Sequence, residues 1–264
     1  MARRFPVPVL LAALPLCALL VLPLLALLGA APWASLMATL QSVHLLDALR
    51  VSLWTSATAT ALAVAFGLPL AYLVARHPFP GKRAVDILID LPMVLPPAVA
   101  GIALLLTVGR RGLLGPALAA LGWQVAFSPA AVILAQLFVA APYFVRTAAV
   151  GFALVDPDLE QAAALDGGNG WQVWRHVTLP LTARSLAAGA LMSWARALGE
   201  FGATVIVAGN LPGWTQTMPL AIYVGFEMDL SVALVLSLVL LGLSAVILGA
   251  IRGWLGVTLP RPFR

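Results

Sequence analysis

The chain has 264 residues, 62% of them apolar and 9% charged, with a net charge of +5. A soluble domain is about 45–50% apolar and about 25% charged, so this composition excludes both an ordinary soluble fold and a disordered chain. At about 20 apolar residues per crossing, the length accommodates one polytopic membrane domain and little else.

Six apolar runs follow one another. The first, Val7 to Ala31, comes after Arg3 and Arg4 and has the outline of a signal peptide. It is far longer than a signal h-region of about 7–15 residues, so a retained span is expected. The second run is Val51 to Ala75. The third, Ile87 to Gly109, is interrupted by Pro92, Pro96 and Pro97. A broken span survives only where protein or water covers the freed backbone groups. The other reading is a late helix start after Pro97, with Ala98 onward as the true span; this is the reading preferred here. The fourth run is Pro129 to Phe152, the fifth Leu186 to Ala208 and the sixth Leu230 to Ile251. The expected fold is therefore an all-α membrane protein of six transmembrane helices, a single domain over 1–264.

Orientation follows from the basic residues. With the N-terminus in the cytoplasm, eleven of the fifteen Lys and Arg fall inside: Arg3, Arg4, Arg76, Lys82, Arg83, Arg146, Arg175, Arg184, Arg252, Arg261 and Arg264. Arg146 is counted there because it is within snorkelling reach of the interface. Arg50, Arg110 and Arg111 fall outside, and Arg196 lies within a span. Both termini are thus expected in the cytoplasm. Topology accounts for the positive charge, and no nucleic-acid partner is expected. Cys17 is the one cysteine, so neither an internal disulfide nor a cysteine metal cluster is possible, and no metal site is assigned. Lys82 follows Gly81 but precedes Arg83. This is not a phosphate-binding loop, so the chain carries no ATPase of that type.

The longest cytoplasmic connection is 153–185. Asp156 suits a helix N-cap, with Pro157 at the first helical position and acids in the first turn. Gly167, Gly168 and Gly170 end that helix, and a second short one, Trp171 to Val177, leads to Leu179-Pro180. Small residues at Ala162, Ala163 and Gly167 leave a smooth face for close docking. An interfacial helix anchored by Trp171 and Trp174 fits the same pattern.

Gln161, Ala162, Ala163, Gly167, Val177, Leu179 and Pro180 are spaced as Gln-Ala-Ala, three residues, Gly, nine residues, an aliphatic residue, one more, then Leu-Pro. The pattern resembles the EAA motif of ABC-importer permeases. It departs at Gln161, where that motif has Glu; Glu160 is adjacent but out of register. The resemblance implies that this loop is a coupling helix, docking into a groove of a cytoplasmic ATPase subunit.

In the fifth run, Arg196 and Glu200 are four residues apart and share a helix face. Each charge costs roughly 2.5–3.5 kcal/mol at a span centre on insertion scales, which argues against lipid exposure. Two readings stand: an ion pair that holds the bundle, or a polar lining for a charged solute. The glycines, Asn, Thr and Gln that follow suit an oxyanion without a full charge, and they are equally ordinary turn residues. Gly202, Thr204 and Asn210 join Arg196 and Glu200 as candidate path or gate residues.

Arg196 to Thr204, Ala208-Gly209-Asn210 and Thr215 to Tyr223 look like the molybdate-importer permease family. So do Leu91 to Gly101 and Gly109-Arg110-Arg111-Gly112. Sulfate permeases share part of the Gly-Glu-Phe-Gly block. The resemblance implies a homodimer in a bacterial inner membrane, two ATPase subunits that hold ATP and Mg, and an external molybdate-binding protein. The permease itself would be non-catalytic and would bind no cofactor. Tungstate, or sulfate and thiosulfate, are the alternative substrates. An ion-coupled secondary anion transporter is the alternative class, but Glu200 is the one coupling group the spans offer and it sits beside Arg196.

Overall fold

The computed structural model describes residues 7–34 and 42–254, and every regular element among them is a helix. Arg3, Arg4, Arg261 and Arg264 lie outside the described residues. The first helix, α1, is Val7–Gly29, and α2 is Val43–Arg76. Ser42 caps α2 by accepting the Leu45 N–H at 3.3 Å, so the helix starts eight residues before the expected span. At 1.5 Å per residue its 34 residues reach about 51 Å, well beyond a hydrocarbon core of about 30 Å. Its threonines stay compatible with an apolar helix by donating to carbonyls one turn back; Thr55 bonds Val51 O at 2.7 Å.

The third run departs from expectation. It forms α3, Lys82–Val94, and α4, Pro97–Val108, which meet at 117°. Residues before prolines are pushed toward extended backbone, and Leu95 and Pro96 take ψ of 133° and 135°. Pro97 needs no N–H partner and opens α4. A helix does start at the prolines, at Pro97, but α3 with Pro92 inside it precedes it, so Ala98 onward is not the whole of this segment. Alone, the 12 residues of α4 reach about 18 Å, too short to cross.

A short helix, α5 (Gly115–Ala120), precedes α6, Pro129–Ala153. The cytoplasmic connection holds α7, Pro157–Leu165, then α8, Gly170–Val173, and a π turn over Trp174–Thr178. The chain does not pause there. It continues as α9, Leu179–Leu198, breaks at Gly199–Phe201, and resumes as α10, Gly202–Val207. The expected fifth span, 186–208, is thus two helices, and the first starts seven residues early. Pro180 lies behind the π turn: it donates no N–H, and the Leu179 N–H reaches back five residues to Trp174 O. Two more helices close the chain, α11 (Met218–Met228) and α12 (Leu230–Trp254). The first of these lies in what the sequence reads as an external loop.

Four helices, within α1, α2, α6 and α12, are long and apolar enough to cross a membrane, and the bent α3–α4 pair makes a fifth if counted as one span. The fifth expected span, carried by α9 and α10, is not among them; Arg184, Ser193 and Arg196 interrupt its apolar character.

Helices α2, α6 and α9 pack closely at the centre. Small residues let their backbones approach. A Cβ at Gly67 would sit 2.9 Å from Phe144 Cδ1, so only glycine fits where α2 crosses α6. Polar side chains stitch the same elements: Ser193 donates to Ala140 O at 3.0 Å, and Trp194 Nε1 to Ser56 Oγ at 2.9 Å.

Candidate functional site

The loop 153–185 is built by its end caps. Asp156 accepts the Asp158 N–H at 3.0 Å and starts α7. At the other end the Gly168 N–H bonds Ala163 O and the Gly167 N–H bonds Ala164 O, each at 3.1 Å. This is a Schellman closure, which needs a left-handed residue at the position of Gly167; its φ is +92°. Asn169 and Gln172 then form a reciprocal capping box at 2.8 and 3.0 Å that starts α8. The two helices are joined by Asp166, Gly167, Gly168 and Asn169.

Gln161, Ala162 and Gly167 are exposed, Ala163 half-buried, and a Cβ at Gly167 would meet nothing within 4 Å. These residues form the outward side of the loop. Val177 and Leu179 are half-buried and Pro180 exposed; they mark the passage from the π turn into α9 rather than the same exposed patch. Trp171 stacks on Trp174 at 5.0 Å, and Trp174 meets Tyr72 of α2 edge-on at 6.4 Å. Trp174 therefore packs on the bundle as well as lying at the surface.

The charge absent from position 161 is found next door. Glu160 Oε1 lies 3.2 Å from Arg76 Nη2 and accepts the Thr178 hydroxyl at 2.6 Å. Glu160 is out of register with the motif, and its i, i+18 spacing to Thr178 carries no signal in the sequence. By sequence Arg146 is within snorkelling reach of the interface. It instead binds Asp90 through Nε and Nη2 at 2.6 and 2.8 Å, and Asp86 through Nη1 at 2.8 Å. Asp86 and Asp90 stand one turn apart on α3, so both carboxylates reach the same guanidinium.

Arg196 and Glu200 do meet, with Nη1 2.7 Å from Oε2. Glu200 has a second task. Its other oxygen accepts the Ala203 N–H at 2.8 Å, so one buried carboxylate ends α9 and caps α10. It is 1% exposed, whereas the Arg196 side chain is 28% exposed. Gly202 is at the crossing with α4, where a Cβ would stand 2.7 Å from Pro97 Cβ. Among the described residues, Thr204 and Asn210 each bury an oxygen with no hydrogen-bond partner, and so do Gln136 and Thr217. The Gln136 amide, fully buried on α6, finds no partner among the described residues at either its oxygen or its nitrogen. Buried polar groups are rarely left so; Gln136 and Thr204 lie within helices, Asn210 and Thr217 in the connection between α10 and α11.

Residues 63–252 of this helical chain match the family described as the binding-protein-dependent transport system inner membrane component. The chain belongs to that family. It is 41% identical over 226 residues to the molybdenum transport system permease protein ModB of Mycobacterium tuberculosis, covering 86% of each chain. It is 40% identical over 177 residues to the sulfate transport system permease protein CysW of Synechococcus elongatus, covering 67% of this chain and 62% of that one. In fold it is similar to a bacterial ABC transporter involved in the import of the acidic polysaccharide alginate, with a TM-score of 0.73 at 17% identity over 94% of this chain and 96% of that one.

Proposed function

We propose that this chain is the membrane-spanning permease subunit of an ATP-driven molybdate importer of the bacterial inner membrane. The observation that carries the reading is the loop: an exposed, small-residue face on α7, closed at Gly167 and tied through Glu160 to the bundle. That face suits the groove of a cytoplasmic ATPase, with Gln161, Ala162, Ala163 and Gly167 in contact and Val177, Leu179 and Pro180 leading the motion into α9. Two ATPase subunits would hold ATP and Mg, two copies of this chain would frame the path, and an external binding protein would deliver the anion. The permease itself catalyses no reaction and holds no cofactor.

Six crossings, both termini inside, follow if α3–α4 and α9–α10 each count as a broken span. The arginine distribution supports that orientation. Arg196, Glu200, Gly202, Thr204 and Asn210 then border the path near its middle, where the buried unpartnered oxygens of Thr204 and Asn210 would meet a hydrated anion. Molybdate is favoured over sulfate because ModB of Mycobacterium tuberculosis is similar over 86% of this chain, against 67% for CysW of Synechococcus elongatus. In cells, uptake of molybdate should cease on loss of ATP while the ion gradient persists. Uptake that follows the gradient would instead assign an ion-coupled transporter.

A further inference from the structure

We propose that Arg76, Glu160 and Thr178 form the joint that carries movement of α7 into two helices of the bundle at once. This rests on the coupling-loop reading above and adds the residues through which the loop would act. Arg76 is the last residue of α2, Glu160 lies in the first turn of α7, and Thr178 closes the π turn ahead of α9. The Glu160 Oε1 atom receives Arg76 Nη2 at 3.2 Å and Thr178 Oγ1 at 2.6 Å. Arg76 Nη2 also donates to Val155 O at 2.9 Å, in the turn between α6 and α7. A single carboxylate oxygen therefore fastens α7 to the end of α2 and to the start of α9, and the guanidinium adds the end of α6.

The placement is favourable for each charge. A cation stabilises a helix C-terminus and an anion an N-terminus, which is where Arg76 and Glu160 stand. The pair is largely withdrawn from water, with side chains 15% and 21% exposed, and Thr178 is buried. Such a pair is screened less by salt than an exposed one. It also has the geometry of a strut rather than of a contact surface: Gln161 and Ala162 are exposed, while Glu160 faces inward. A push on the outer face of α7 displaces Glu160, and α2 and α9 both follow because both are bonded to it. These are positioning residues; none of them touches the solute.

The test uses the full complex in proteoliposomes, with molybdate uptake and ATP hydrolysis measured together. Glu160→Ala should still co-purify with the ATPase, and the anion carried per ATP hydrolysed should fall about fivefold or more, the lower end of the range for coupling between sites. Thr178→Val keeps the shape, removes only the hydroxyl, and should lower the ratio about twofold or more, as expected for one hydrogen bond. The reversed pair, Arg76→Glu with Glu160→Arg, should transport better per ATP than either single reversal. A merely structural role would lower the yield of complex and leave the ratio intact. Wild-type ratios in both Glu160→Ala and Thr178→Val would overturn the joint, and where Glu160→Ala fails to assemble, Thr178→Val decides. Should the wild-type complex hydrolyse ATP with no uptake, the importer reading falls and the joint with it. A coupled wild type with coupled variants sinks the joint alone.

Discussion

Gly167 carries two demands that a single substitution can separate. Its φ of +92° disfavours any residue with a Cβ, by about 1–2 kcal/mol for an ordinary one and less for Asn. Its exposed position beside Ala163 leaves room for a partner. Gly167→Asn should therefore keep the closing turn and retain the ATPase, whereas Gly167→Glu should lose uptake by placing charge and bulk on the docking face. Equal failure of both, measured by co-purification and uptake, would assign the glycine to close approach alone. The Arg196–Glu200 pair is testable in the same manner. Arg196→Ala strands a buried carboxylate, and breaking a buried pair costs about 3–5 kcal/mol; the part-exposed arginine puts the expected loss at the low end. Arg196→Met with Glu200→Gln removes both charges and keeps an acceptor for the Ala203 N–H. Its melting temperature should recover. Recovery of uptake as well would make the pair structural, and stability without uptake would place it on the path.

At the scale of elements, the two broken segments face each other. A Cβ at Gly101 on α4 would stand 2.9 Å from Ala203 O on α10. Gly101→Val should cost about 1–3 kcal/mol through overpacking, read as a lower melting temperature of the purified protein. An unchanged melting point would mean that α4 and α10 separate readily. The loop helix α7 was legible in the sequence because its signals are local: Asp156 at the cap, Pro157 after it, glycines at the end. The prolines at 92, 96 and 97 announced a disturbance but not its geometry, since a 117° bend is set by what α3 and α4 pack against. The salt link from Arg146 to Asp86 and Asp90 holds α3 against α6, and no sequence period joins residues 56 apart. The break after Leu198 was hidden for the same reason. Glu200 reads as one more position on an apolar helix face until its carboxylate is seen capping α10. At Leu179-Pro180 the difference has another origin: the sequence ends the short helix at Val177, whereas the π turn lets the helix run on through the proline.

At the scale of the whole molecule, burial divides the chain. The central helices pack into one another, while the apolar window of α1 buries nothing within the chain and that of α12 little. Both present leucine-rich surfaces suited to the acyl chains of a bilayer. The family and its multi-pass character were readable because hydropathy and the loop spacing are properties of the sequence itself. The joint at Glu160, and the unpartnered Gln136 amide inside the bundle, exist only once the helices are assembled. The most direct test is uptake by this chain reconstituted in liposomes with its ATPase and binding-protein partners, using labelled molybdate with sulfate in excess. The account predicts uptake that requires ATP and resists sulfate. A stable complex whose uptake is indifferent to ATP would contradict it.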